Sequence, residues 1–177
     1  MVYSGSLGST NLTTNLNMMG PGNFKVTIDS REFANVQFFC TTANLPTVSS
    51  SEVLSGYTHK NAYFPGDTIE YGTFDITFIV DEEMKNYLEM YNWIKEDAGY
   101  DDDNIQNPKG RQVFHKDKFK DIILSIQTNK NTINKQIRFS DAFPTSLGDL
   151  AFTTQDTAVE YITCTVTFRY NKFEFIR

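Results

Sequence analysis

From Asn23 onward the chain alternates. Phe24, Val26 and Ile28 fall on one side of an extended strand, and Lys25, Thr27 and Asp29 fall on the other. This period of two marks a strand with one buried face. Asp29-Ser30-Arg31-Glu32 reads as a turn. Val36, Phe38 and Cys40 then repeat the pattern, so the two segments are expected to pair as a hairpin. Phe74, Ile76, Phe78 and Val80 alternate with Thr73, Asp75, Thr77 and Ile79. Residues 121–128 and 132–140, joined through Asn129-Lys130-Asn131, read as another hairpin. The longest run comes last: Ala158, Ile162, Cys164, Val166, Phe168 and Tyr170 face one way, and Thr163, Thr165, Thr167 and Arg169 face the other.

At Asp81 the period changes. Met84, Tyr87, Leu88, Tyr91 and Ile94 recur at helical spacing, predicting a helix over about 82–95. Asp81 sits where an N-cap belongs, with Glu82 and Glu83 in a first turn where the helix dipole favours negative charge and Lys95 near the other end. The three acids are thereby explained as structural, the start of a helix. The competing reading is a hydrolase that uses the same carboxylates.

Between these elements the pattern breaks. Residues 1–22 are rich in Ser, Gly, Asn and Thr and read as a flexible N-terminal arm. Residues 43–60 read as a loop, because Pro46 and Ser49-Ser50-Ser51 interrupt regular pairing. Pro65-Gly66-Asp67 predicts a turn at the tip of a projecting β-excursion. Residues 96–120 form a long acidic loop; its Asp101-Asp102-Asp103-Asn104 lacks the glycine and distant glutamate of an EF-hand. Residues 141–150 read as a connection and residues 150–154 as a short strand. The expectation is a single domain over 23–177. It is mainly β, a barrel or sandwich of seven or eight antiparallel strands with one flanking α-helix.

Composition narrows the function. Aromatics make up 14% of the 177 residues, in keeping with half-buried pleated surfaces. A net charge of −6 argues against gripping nucleic acid through its phosphates. No apolar run approaches the ~20 residues of a transmembrane helix, so no membrane partner is expected. Cys40 and Cys164 read as small buried hydrophobes, and His59 and His115 stand alone. With no nucleophile elbow, phosphate loop or metal spacing, we expect no catalytic residues, metal or cofactor. A soluble β-sandwich that binds a receptor or glycan through residues 91–104 is the alternative of another class.

Three segments carry a family resemblance in their order and spacing. "IEYGTFDITFIVDEEMKNYLEMYNWI" resembles the strand-to-helix core of the tail tube proteins of contractile-tailed bacteriophages. "RFSDAFPTSLGDLAFTTQDTAVEYITCTVTFRY" resembles that family's closing segment, and "FKVTIDS…VQFFCTTANLPTV" resembles its opening hairpin. The resemblance covers roughly residues 23–172. It implies a tail-tube-like β-barrel whose copies form a hexameric ring by continued sheet pairing. It implies a place in the virion tail, assembled in the host cytoplasm, with other tail tube, sheath or neck proteins as partners and genome DNA passing through the lumen unbound. The Asp81 segment is nearer to members that complete and cap the tube than to the main tube protein, which stays as the alternative. Tyr63, Phe64, Pro65, Gly66 and Asp67 are the candidate inter-subunit or inter-ring contacts.

Overall fold

A computed structural model describes residues 19–28, 36, 39–56, 60–98, 119–153 and 161–176. The described residues contain nine strands. Phe24–Thr27 (β1), Cys40–Asn44 (β2), Val48–Gly56 (β3), Asn61–Tyr71 (β4) and Phe74–Ile79 (β5) precede a helix, Lys85–Ala98 (α1). Lys120–Gln127 (β6), Ile133–Leu147 (β7), Thr163–Arg169 (β8) and Lys172–Phe175 (β9) follow it. All ladders are antiparallel.

β7 organises the fold by belonging to two sheets. Its first part pairs with β6 on one side and β9 on the other, and β1 extends that sheet beyond β6. Its last part, residues 143–147, pairs with β8, which continues to β5 and β2. The corner lies at Asp141, whose φ is 55°. An aspartate tolerates this left-handed conformation better than a branched residue. Asp141 N–H donates to Asp121 Oδ1 at 3.2 Å, and its own carboxylate accepts from Asn171 Nδ2 at 3.0 Å. Asn171 N–H donates to Ser140 O at 3.1 Å, so β8 and β9 turn the same corner beside β7. On β9, Glu174 pairs with Arg138 of β7, and that guanidinium, helped by Lys172, holds the Glu174 carboxyl below the usual carboxylate range.

The core fills the angle between the two sheets. Phe74 on β5 stacks on Phe139 of β7 at 4.3 Å between ring centroids. Phe168 on β8 lies 5.7 Å from Trp93 of α1, which closes the open side. The buried face of β5, Phe74, Ile76 and Phe78, and that of β8, Cys164, Val166 and Phe168, follow the alternation read from the sequence.

Several local expectations are overturned. β1 pairs with β6, not with β2, and β2 pairs with β5. The two segments expected to form the first hairpin end up at opposite ends of the strand order, although the sheets curl enough to bring them near each other. A strand with one apolar face can join any edge that continues the core, and sequence adjacency did not decide this one. The expected turn at 29–32 and Phe38 lie outside the described residues. Residues 141–147 are strand rather than connection; Pro144 is accommodated beside a bulge in the β7–β8 ladder. Residues 151–153 are not strand, and Phe152 there is exposed.

The largest correction concerns 43–60. Val48–Gly56 is a nine-residue strand, and with β4 it forms a two-stranded sheet of its own. Its serines conceal it because neither face of the hairpin is buried within the chain, so no apolar alternation is imposed. Pro65-Gly66-Asp67 is likewise not the tip. It lies within β4, where the register slips opposite Ser51. A Cβ on Gly66 would lie 2.1 Å from Ser51 Oγ and 2.8 Å from Ser51 O, so this close crossing needs glycine.

Candidate assembly interface

The three acids come first. The first i→i−4 bond of α1 runs from Leu88 N–H to Met84 O at 2.9 Å, so the helix starts three residues later than the periodicity suggests. Asp81 to Met84 form a turn, with Met84 N–H donating to Asp81 O at 2.9 Å and Met84 at φ 55°. The Asp81 carboxylate still reaches the helix, accepting from Asn86 N–H at 3.2 Å. Glu82 and Glu83 lie in the turn rather than in the first turn of α1, and Glu83 pairs with Lys85.

Asn86 is what holds this joint. It is fully buried, its Nδ2 donates to Ile79 O at 2.6 Å, and its Oδ1 accepts from Asp81 N–H at 3.4 Å. The start of α1 is thereby tied to the end of β5. Nothing in the apolar pattern points to this asparagine, because a buried amide with its partners in place leaves no hydrophobic signal. Asn86→Ala strips the Ile79 carbonyl of this buried donor and is expected to cost about 1–3 kcal/mol. A denaturant titration of the purified variant measures this. An unchanged midpoint would show that the joint does not depend on the amide.

The buried face of α1 is Asn86, Met90 and Trp93, while Leu88 and Tyr91, expected inside, are exposed. Lys95 lies in the last turn, where the dipole favours a cation. Helix occupies residues through Ala98, the start of the expected acidic loop; residues 99–118, with Asp101-Asp102-Asp103-Asn104 and His115, lie outside the described residues, as does His59.

Among the described residues no group of three His, Cys, Asp or Glu side chains could hold a metal ion, and no helix is long and apolar enough to cross a membrane. Cys40 and Cys164 are both free thiols. Burial pushes Cys40 up to about 11, which leaves it protonated and unreactive at neutral pH.

Tyr63 and Phe64 stand exposed on β4 with Val53, Leu54 and Ile69 of the same hairpin, and Pro65, Gly66 and Asp67 form the slip beside them. Among the described residues β2 has a ladder partner on one side only, and so has the 143–147 part of β7. These are the two edges of one four-stranded sheet, β7-β8-β5-β2. Its outward face carries Thr42, Thr77, Thr163, Thr165 and Thr167, with Asp75 and Arg169 of opposite charge. Two of these five hydroxyls bond to each other, and the hydroxyls of Thr41 and Thr145 bond to backbone carbonyls of the same sheet. Thr77 Oγ1 lies 3.0 Å from Thr165 Oγ1, Thr41 Oγ1 donates to Thr77 O at 3.1 Å, and Thr145 Oγ1 donates to Thr167 O at 3.1 Å. At one rim of this sheet an apolar groove of about 540 Å³ is lined by Phe39, Ile79, Met84, Leu150, Phe152 and Ile162, with Asp81 and Glu82 as its charged members.

Comparison with known proteins agrees with this architecture. The tail tube terminator protein of Enterobacteria phage T4 is 30% identical over 111 residues. That alignment spans 62% of this chain and 59% of the T4 protein, less than two thirds of its length. The tube-terminating cap of the anti-feeding prophage superposes with a TM-score of 0.63 at 19% identity, covering 96% of this chain and 97% of the cap. The sheath/tube terminator of an extracellular contractile injection system (PVC, in the extended state) gives 0.62 at 15% identity, covering 91% and 98%. At these identities the two superpositions establish the fold. The family model for the phage tail tube protein matches residues 3–176, and the chain belongs to that family.

Proposed function

We propose that this protein is a structural component of a contractile phage tail, the tube terminator that completes the tube as a hexameric ring around the DNA conduit, with no enzymatic role. The observation that carries the reading is the pair of open edges, β2 and residues 143–147, on a single sheet. An open edge is an aggregation hazard unless a partner pairs with it. Pairing β2 of one copy with β7 of the next is heterologous, and it closes into a ring when the rotation allows. In such a ring the threonine-rich face lines the conduit. Its Asp75 and Arg169 carry opposite charges, so the face offers passing phosphates no net positive charge. The name of the T4 relative supports the terminal position, as does the fold shared with a tube-terminating cap and a sheath/tube terminator. Sheath, tube and neck proteins are the expected neighbours in the virion tail.

The main tube protein is the second reading, favoured by the hairpin and the groove, which lie at opposite rims and would let rings stack. Mass photometry and negative-stain microscopy of the purified chain, alone and with its cognate tube, test the proposal. Rings of six 20.3 kDa copies seated singly on tube ends are the expected result. Long tubes of this chain alone favour the second reading, and a monomer that neither closes nor caps overturns both.

A further inference from the structure

Among the described residues the strands of the β3–β4 hairpin pair only with each other, and Val48, Val53, Leu54, Tyr63, Phe64 and Ile69 are all 49–64% exposed. Two short links, residues 45–47 and 72–73, join the hairpin to β2 and β5. Gly72 N–H donates to Thr47 O at 2.9 Å, and a Cβ on Gly72 would lie 2.6 Å from Thr47 Oγ1, so the links cross closely. Gly72 brings no side chain to brace the ribbon. At about 3.3 Å per residue the ribbon is roughly 30 Å long, so a swing of about 10° at its base carries the tip about 5 Å. Where the tip lies is therefore decided at the base.

Tyr71, the last residue of β4, is half-buried and packs against the core. Its ring lies 6.0 Å from Tyr170 and 5.4 Å, edge on, from Phe173, and those two rings are 6.2 Å apart, so the three form a closed triangle. Tyr170 follows β8 and Phe173 lies on β9, one on each side of the corner at Asn171. Phe139 of β7 backs both, 5.0 Å from Tyr170 and 5.8 Å from Phe173. The Tyr170 hydroxyl is buried and finds no hydrogen-bond partner among the described residues. Burial, and after it the neighbouring Tyr71, push this phenol up to about 12, so it is neutral. Ring packing, rather than a hydrogen bond or a charge from Tyr170, holds Tyr71 in place. β9 in turn keeps its position through its ladder on β7 and the Arg138–Glu174 pair.

We infer that the β8–β9 corner is a socket that fixes the direction in which the hairpin leaves the body, with Tyr71 seated in it and Phe173 as the wall that β9 supplies. The direction of the hairpin is thereby coupled to the seating of a four-residue edge strand. The coupling is internal to one chain and independent of ring closure. The test places spin-labelled unnatural amino acids at positions 63, on the hairpin, and 88, on α1, both exposed. The full chain, diluted in excess unlabelled protein so that only pairs within one chain are read, is measured by double electron–electron resonance. A single narrow distance distribution is expected. Tyr71→Ala and Phe173→Ala, each checked for folding by circular dichroism, are expected to widen it at least twofold. Tyr170→Phe keeps the ring and is expected to leave the distribution unchanged. A broad distribution before any of these changes, or a narrow one in either folded alanine variant, overturns the socket; where one alanine variant fails to fold, the other decides. Widening by Tyr170→Phe overturns ring packing as what holds Tyr71.

Discussion

Phe74→Ala is expected to lower the unfolding free energy by about 3–5 kcal/mol, the range for deleting a fully buried aromatic ring. Phe74 is fully buried on β5, stacked on Phe139 at 4.3 Å with an 18° angle between ring planes, and 6.4 Å from Phe168. The stack joins the sheet that holds β5 to the first part of β7 in the other sheet. Truncation therefore opens a cavity where the two sheets meet, and neither sheet can close it without shifting the other. For a chain of this size each kcal/mol moves the melting temperature about 2–4 °C, so a fall of roughly 6–20 °C follows. Differential scanning calorimetry of the variant reads it. Phe74→Leu keeps most of the volume and is expected to fall less. Equal falls for the two variants would show that the stack itself, rather than the filled volume, carries the stability.

What the sequence discloses depends on whether a face is buried inside the same chain. β5 and β8 each press one face on the core, and their alternation is readable residue by residue. The β3–β4 hairpin presses neither face on its own core, so its strand content is invisible and its serines look like loop. The helix shows the same limit. Leu88 and Tyr91 enter the expected stripe because apolarity alone does not tell a core-facing residue from an exposed one, while the buried Asn86 escapes it. Residues 141–147 read as a connection because Pro144 normally ends a strand, and only the bulge beside it explains why this one continues. Edges are a property of topology. Nothing in Cys40–Asn44 announces that β5 covers one side and leaves the other open.

In the proposed ring that open side is where assembly is most exposed to a single change, and Ala43→Pro is expected to abolish ring formation while sparing the monomer. Ile79 N–H donates to Phe39 O at 3.0 Å and Val80 N–H to Ile162 O at 2.8 Å. In an antiparallel ladder successive residues face alternate neighbours, so Asp75, Thr77 and Ile79 face β2 while Ile76 and Phe78 face β8. Asn44, opposite Asp75, then belongs to a hydrogen-bonded pair, and the N–H of Ala43 points away from β5 to the free edge. Proline at 43 removes that donor and sets its ring in the path of an incoming strand, yet it leaves the β5 ladder intact. The lost hydrogen bond is worth about 1 kcal/mol per interface, and a closed ring suffers it at every interface at once. Asn44→Pro is the control. It breaks a bond to β5 and is expected to lower the melting temperature of the monomer itself. The decisive measurement is native mass spectrometry beside a thermal melt. If Ala43→Pro still yields the full ring with an unchanged melt, the ring does not close through β2, and the interface must be sought on another edge.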